Sequence, residues 1–293
     1  MTAFLTARVQ DWREGGEYVD IGCDQIFVRR GGGRGPLRLF LHGFPSSSYD
    51  WRGTLAHLDD AALLAPDFLG FGLSDKPRDV TYSLFGQADV VEQLVADEHR
   101  PVVLVAHDMG TSVAPELLAR DLEGVLSFNL AGALLLNGSV IIERASLTWA
   151  QKALRSPLGP AVARLSSRRL FVRQFARLFS ESHPLSAEEV EDQWALWRHA
   201  GGARLAHRLI HYLGERQTYH PRWHGAVRDW PGDLRLAWGM GDPVATPCVL
   251  AGLRELRPAA PVAELPELGH YPQIEQPERI AALVEELASA CVR

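Results

Sequence analysis

The sequence predicts an α/β fold, a mostly parallel sheet flanked by helices and interrupted by an all-helical insertion. Three observations carry that expectation. In the first half, short apolar runs without polar alternation recur between segments of helical spacing, the pattern of strands buried on both faces of a parallel sheet. From Ile141 to Asp229 helical spacing continues alone, with Arg and Trp scattered through it. The strand-and-helix rhythm then returns at Asp233 and runs to the end. The expected division is a core over residues 1–140, a helical cap over 141–229 and the rest of the core over 230–293.

Taken in order, Ile26-Phe27-Val28 precedes a Gly31-Gly32-Gly33 turn, and the runs Leu37–Gly43, Ala62–Phe68, Pro101–His107 and Ala133–Ser139 follow as strands. Gln87–Glu98 and Val113–Leu122 have helical spacing. Pro115 falls inside the second, where it should remove a backbone bond and kink the helix. In the insertion SPLGPAVARL, RRLFVRQFARLF, SAEEVEDQWALWRH and ARLAHRLIHYLGER each read as one helix. Ser186 and Glu189 form a capping-box signature for the third. Asp233–Pro243 and Ala260–His270 restore the strands. The closing segment sets Ile280, Leu283, Val284 and Leu287 on one helical face, with Pro277 near its start.

Composition narrows the function classes. The 293 residues are 46% hydrophobic and 23% charged, enough for a sizeable core. Thirty Lys and Arg against 36 Asp and Glu give a net charge of −6, without the basic footprint of a nucleic-acid binder. Cys23, Cys248 and Cys291 lie far apart, with neither metal-ligand nor disulfide-framework spacing. No apolar run suits a signal peptide or a membrane-spanning helix. The expectation is a soluble cytoplasmic protein, monomer or homodimer, with no metal and no cofactor.

The stretch VVLVAHDMGTSVA is the most informative. A buried strand runs into Ala106-His107-Asp108-Met109-Gly110 and a helix follows, the setting of a nucleophile elbow in which small residues flank a strained turn. Ala106 and Gly110 take the small positions and Asp108 takes the tip. An ordinary strand-to-helix loop capped by Asp would read the same in isolation. Three further features bear on the choice. His42-Gly43-Phe44-Pro45 directly follows a strand, where a second oxyanion-hole N–H is expected. Asp242 ends a late strand, and His270 lies in the loop after the last one. The order nucleophile, acid, histidine is that of α/β-hydrolases, and all four features fall at the strands' carboxyl ends, where open α/β sheets bind ligands.

On these residues the chain resembles the α/β-hydrolase fold, in the epoxide hydrolase and haloalkane dehalogenase branch that uses an elbow Asp. More narrowly, HGFPSSSYDW, DFLGFGLSDKPRDVTYSLFGQADVVEQL, the HDMG elbow, GHYPQIEQPE and the cap's HYLGERQTYHPRWHGAV resemble the mesoderm-specific transcript proteins. An elbow carboxylate suits displacement at a saturated carbon, giving an alkyl ester of Asp108. Water activated by His270, itself oriented by Asp242, would then attack the carboxyl carbon. The N–H groups of Phe44 and Met109 would hold the resulting oxyanion.

The resemblance also bears on the substrate, expected to be small and apolar or amphipathic. Dehalogenases of this branch hold halide with a Trp after the nucleophile and an Asn or Trp in the HGxP loop, where this chain has Met109 and Phe44. Epoxide hydrolases protonate the opening epoxide with cap tyrosines, which points to Tyr212, with Tyr219 next. The early cap contains no Tyr, so a second acid would be another residue, such as His183, or absent. His42, His107, Trp149 and Tyr219 are the candidate pocket residues; His107 also suits a structural role, and Trp149, Trp194, Trp197 and Trp223 suit either core or pocket. Tyr49, Asp50 and Trp51 are expected to pack a loop, and Asp67 and Asp75 to stabilise one. Epoxide hydrolysis is the leading expectation. The alternatives are a dehalogenase-like hydrolase or a non-catalytic binding protein on the same scaffold.

Overall fold

The structure is a computed structural model that describes residues 4–291. Helix α1 (Ala7–Glu14) precedes an antiparallel pair, β1 (Glu17–Ile21) and β2 (Asp24–Gly32). β3 (Arg34–Leu41) leads through a short helical turn and α2 (Arg52–Ala56) to β4 (Ala61–Pro66). Then follow α3 (Leu84–Leu94), β5 (Val102–His107), α4 (Gly110–Leu122) and β6 (Leu130–Leu136). The eight-stranded sheet has the order β1-β2-β4-β3-β5-β6, continued by β7 (Asp233–Gly239) and β8 (Val262–Leu265). All pairs from β3–β4 onward are parallel; β1–β2 and β2–β4 are antiparallel. β1 is the strand the sequence did not disclose, because EYVDI is half exposed and lacks an apolar run.

Every residue of β4 and β5 is buried, which explains their unbroken apolar sequences. Alternate side chains feed two cores. Leu39, Leu104, Ala106, Leu135 and Trp238 face Val113 and Leu117 of α4 on one side. On the other, Phe40, Val103, Val105, Leu134 and Ala237 face Ile280, Val284 and Leu287 of the last helix. The chain enters the parallel sheet at β3 and runs outward both ways, to β4 and to β5. The ends of β3 and β5 therefore flank the switch point where such sheets open a crevice.

α4 continues as one helix from Gly110 to Leu122 through the buried Pro115. Proline costs a helix interior roughly 3 kcal/mol. Burying Val113, Leu117 and Leu118 completely offsets that, at about 1.5–3 kcal/mol each.

Between β6 and β7 lie α5 (Trp149–Arg155), α6 (Gly159–Arg164), α7 (Arg168–Phe175), α8 (Ala187–Arg198), α9 (Ala206–Leu209) and α10 (Tyr212–Asp229). The expected fourth helix, ARLAHRLIHYLGER, is instead a 3-10 turn, α9 and the start of α10. Ala200 and Gly201 have φ of 49° and 83° just before it, and α10 runs on past Pro221. The Ser186 hydroxyl accepts from the Glu189 N–H at 3.0 Å. The Glu189 carboxylate leaves the cap box, however, and binds Arg52 and Gln193. A complete box forms instead at Thr148 and Gln151, opening α5. The core closes with α11 (Pro247–Leu256), α12 (Pro272–Glu275) and α13 (Pro277–Ala290). No helix among the described residues is long and apolar enough to cross a membrane.

Candidate active site

Asp108 and Met109 join β5 to α4, and Asp108 has φ at 45°, the left-handed region that costs a non-glycine residue. Its neighbours make that turn possible by coming unusually close. A Cβ on Gly43 would lie 2.6 Å from the Asp108 Cβ, and one on Gly110 would lie 2.5 Å from the Leu41 carbonyl. The Gly110 N–H donates to the His42 carbonyl at 3.0 Å, tying the helix start to the end of β3. In this cradle the Phe44 N–H donates to Asp108 Oδ2 at 2.8 Å. The Met109 N–H has no acceptor among the described residues. It stands at the positive end of α4, free to receive charge.

The other carboxylate oxygen, Oδ1, lies 3.9 Å from His270 Nε2, beyond a direct hydrogen bond. On the far side of the ring, His270 Nδ1 meets Asp242 Oδ2 at 2.6 Å. All three side chains are almost wholly buried. Burial by itself would lower the His270 pKa. Asp242, through its charge and hydrogen bond, and then Asp108 and Asp50 outweigh it, and the net shift is upward. Asp242 is held rigidly: its Oδ1 accepts from the Val244 and Ala245 N–H groups at 2.7 and 3.0 Å.

Asn137, which the sequence reading did not single out, completes this side. It follows β6 with φ at 36° and donates through Nδ2 to Asp242 Oδ2 at 2.8 Å. Its Oδ1 accepts from the Gly239 N–H at 2.8 Å. Its signal in the sequence was its place, the first residue past the apolar run LLL.

Helix α10 brings two residues to the elbow. Tyr212 is buried with its ring 6.0 Å from that of Phe44, and its hydroxyl has no hydrogen-bond partner. Burial, reinforced by the Asp108 charge, pushes that phenol far above its usual range, so it keeps its proton. One turn on, the buried Arg216 donates from Nε to Ser112 Oγ at 2.5 Å and from Nη2 to the Asp108 carbonyl at 3.0 Å. Its guanidinium lies 4.7 Å from the Tyr212 ring centre. Arg216 was also missed; YLGER shows only an i, i+4 spacing from Tyr212.

Asp108 and His270 open onto a cavity of about 140 Å³. Its other walls are mostly apolar and come from the insertion, among them Trp149, Leu154, Val162, Phe171 and Phe175. Trp149 is thus a wall residue as expected, and Trp197 is another.

Three expected pocket residues are placed elsewhere. His42 uses both ring nitrogens structurally, bonding the Gly43 carbonyl at 2.8 Å and accepting from the Phe68 N–H at 2.9 Å. Burial lowers its pKa. His107 lies under the histidine loop, with Nε2 donating to the His270 carbonyl at 2.7 Å. Burial and then the His270 charge keep it neutral. Tyr219 is 40% exposed and packs on Phe85 and Trp223, too far along α10 to turn inward. His183 engages Ser180 and Gln276 instead of the cavity. Asp67 behaves as a loop brace, accepting from the Ser48 and Leu73 N–H groups.

Comparison with known proteins places this arrangement among relatives. Residues 39–283 match the model of the Alpha/beta hydrolase family. The chain is 57% identical over 274 residues to LipZ of Mycobacterium tuberculosis, covering 93% of this chain and 95% of that one. It is 33% identical over 288 residues to the human mesoderm-specific transcript homolog protein, covering 93% and 85%. Among solved structures, haloalkane dehalogenase DbeA from Bradyrhizobium elkani superposes with a TM-score of 0.76 at 24% identity, over 94% of this chain and 99% of that one. At that identity the likeness speaks for the fold.

Proposed function

The chain belongs to the alpha/beta hydrolase family, and on that premise we propose that it hydrolyses an epoxide through an ester formed on Asp108. The observation that carries this reading is the division of labour between the two Asp108 oxygens. Oδ2 is held by the Phe44 N–H at 2.8 Å, while Oδ1 lies free beside His270 and the apolar cavity. A carboxylate so placed attacks a saturated carbon.

In the first step Oδ1 forms a bond to an epoxide carbon and the carbon–oxygen bond of the ring breaks. The departing oxygen takes the Tyr212 proton, and Arg216 stabilises the phenolate left behind. In the second step His270 removes a proton from water, which attacks Cγ of Asp108. The oxyanion gathers on the oxygen facing Phe44, with the free Met109 N–H as the second donor. Collapse breaks the ester and His270 returns its proton to the departing alcohol oxygen; the carboxyl proton left on Asp108 is released to solvent as Tyr212 regains one, restoring carboxylate and phenol. The sum is epoxide plus water to diol. Two features of the residues disfavour halide as leaving group: Phe44 and Met109 offer it no side-chain donor.

The test is mass analysis of the Asp108 peptide after turnover of an epoxide panel in heavy-oxygen water. Label accumulating in Asp108 is the expected result. Label found only in the product would exclude the ester route. Halide release from haloalkanes without diol formation would transfer the assignment to a dehalogenase. No turnover and no adduct on either panel would favour a binding protein on this scaffold.

A further inference from the structure

Residues 149–180 differ in charge from everything around them. They contain seven of the 30 Lys and Arg residues and none of the 36 Asp and Glu, leaving 23 against 36 elsewhere. Six of the seven, Lys152, Arg164, Arg168, Arg169, Arg173 and Arg177, are exposed. Only Arg168 has an ion-pair partner among the described residues, Glu191. Helix α7 shows the arrangement clearly. Leu170, Phe171, Gln174 and Phe175 line the cavity. Arg169, Arg173 and Arg177, spaced by four, form the outward stripe.

The same segment exposes three large apolar side chains. Trp149 is 51%, Leu158 70% and Leu165 77% accessible. Leu158, Val162 and Leu165 follow an i, i+4, i+7 spacing along α6, which places them on one side of it. Val162 belongs at once to that side and to the cavity wall, and Trp149, at the start of α5, is a wall residue too. Exposed apolar side chains, two residues of the cavity wall and five exposed cations without an ion-pair partner among the described residues thus share one segment.

We propose that this outer face of the insertion docks on an anionic lipid surface. Trp149, Leu158 and Leu165 would enter the interfacial layer, while the arginines meet the headgroups. An amphipathic substrate then enters the cavity from the lipid phase; that last step rests on the proposed function, whereas docking does not. A symmetric dimer through this face would set six exposed cations against six, an arrangement that repels. An acidic protein partner would satisfy the arginines. It would not account for apolar side chains continuous with the wall of a ligand cavity.

Flotation of the full chain with vesicles tests the proposal. The chain should float with vesicles of equal parts phosphatidylcholine and phosphatidylglycerol, stay behind with phosphatidylcholine alone, and be released by high salt. Arg169→Gln/Arg173→Gln/Arg177→Gln should lower partitioning on the order of 100-fold, at about fivefold per cation. Leu158→Ser/Leu165→Ser should lower it about tenfold or more. All five positions are exposed, so the melting temperature serves as a folding control.

Three results would overturn the proposal. One is no flotation with either vesicle, and another is equal flotation with both. The third is a leucine variant that floats like the parent while polyglutamate displaces both, which would assign the face to an acidic protein. Binding is read without turnover, so failure here leaves the proposed hydrolysis standing, and an inactive chain that floats leaves docking standing.

Discussion

Nη2 of Arg216 lies 3.0 Å from the carbonyl oxygen of Asp108, so the longest helix of the insertion grips the elbow by its backbone. The guanidinium is buried, has no carboxylate in an ion pair among the described residues, and stacks over Tyr212. Arg216→Met keeps most of the volume and removes both donors. The expected result is a loss of roughly 100-fold in the alkylation rate. Arg216→Lys, which keeps charge without the planar fork, should recover only part of it. Single-turnover kinetics reads this; a Met variant alkylating at the parent rate would remove Arg216 from the mechanism.

Tyr212→Phe separates chemistry from packing. The hydroxyl has no partner to lose, so stability should hold or rise by up to about 1 kcal/mol. Loss of the proton donor should slow epoxide opening by roughly 10²–10⁴. Ester hydrolysis on Asp108 should be unaffected. A variant that melts early and turns over normally would make Tyr212 a structural residue.

His270 must be neutral to take a proton from water, and its pKa is raised above the usual histidine value. The rate of ester hydrolysis should therefore rise with pH along a limb centred above about 6.5. Removing the Asp242 charge with Asp242→Asn should move that limb downward and cut the rate roughly 10³–10⁴-fold. Stopped-flow measurement of the second half-reaction across pH checks both. A limb that stays in place in the variant would contradict the assignment.

Asp50 lies wholly buried behind the site, and burial pushes its carboxyl up to about 7 against the Gln193 amide that donates to it at 2.8 Å. Because the folded value lies above the unfolded one, the native chain retains a proton that the unfolded chain has released. Stability should fall as pH rises from about 4 to about 7, by about 4 kcal/mol at most. Asp50→Asn should flatten that decline, with its advantage in melting temperature larger at about pH 8 than at about pH 5. Parallel pH profiles for parent and variant would show that Asp50 titrates normally.

The sheet was legible because its central parallel strands are buried on both faces, so Val102–Ala106 and Ala61–Pro66 carry no polar residue to blur the signal. Edge strand β1, with Glu17 and Asp20 among its five residues, passed unnoticed. Asp108, Asp242 and His270 could be picked out because each follows the carboxyl end of a strand on the same side of the sheet. Arg216 could not, since what matters is its approach to a carbonyl 108 residues away. Asn137 was hidden in the same way, its partner lying across the neighbouring strand. The histidines at 42 and 107 misled because a place beside Phe44 or Asp108 in the sequence is not access to the cavity. Both rings are spent on the backbone of adjoining loops.

The segment that walls the cavity is joined to the core at both ends through its backbone. The Ser146 N–H donates to the carbonyl of Val244, beside Asp242, at 3.0 Å. The His270 N–H itself donates to the carbonyl of Leu178 at 2.7 Å. The wall and the base thus share a backbone linkage. In the proposed mechanism, a guest too bulky for the space between α5 and α7 would strain the very loop that carries the His270 imidazole, so the chamber would gauge its guest at the group that takes the proton from water.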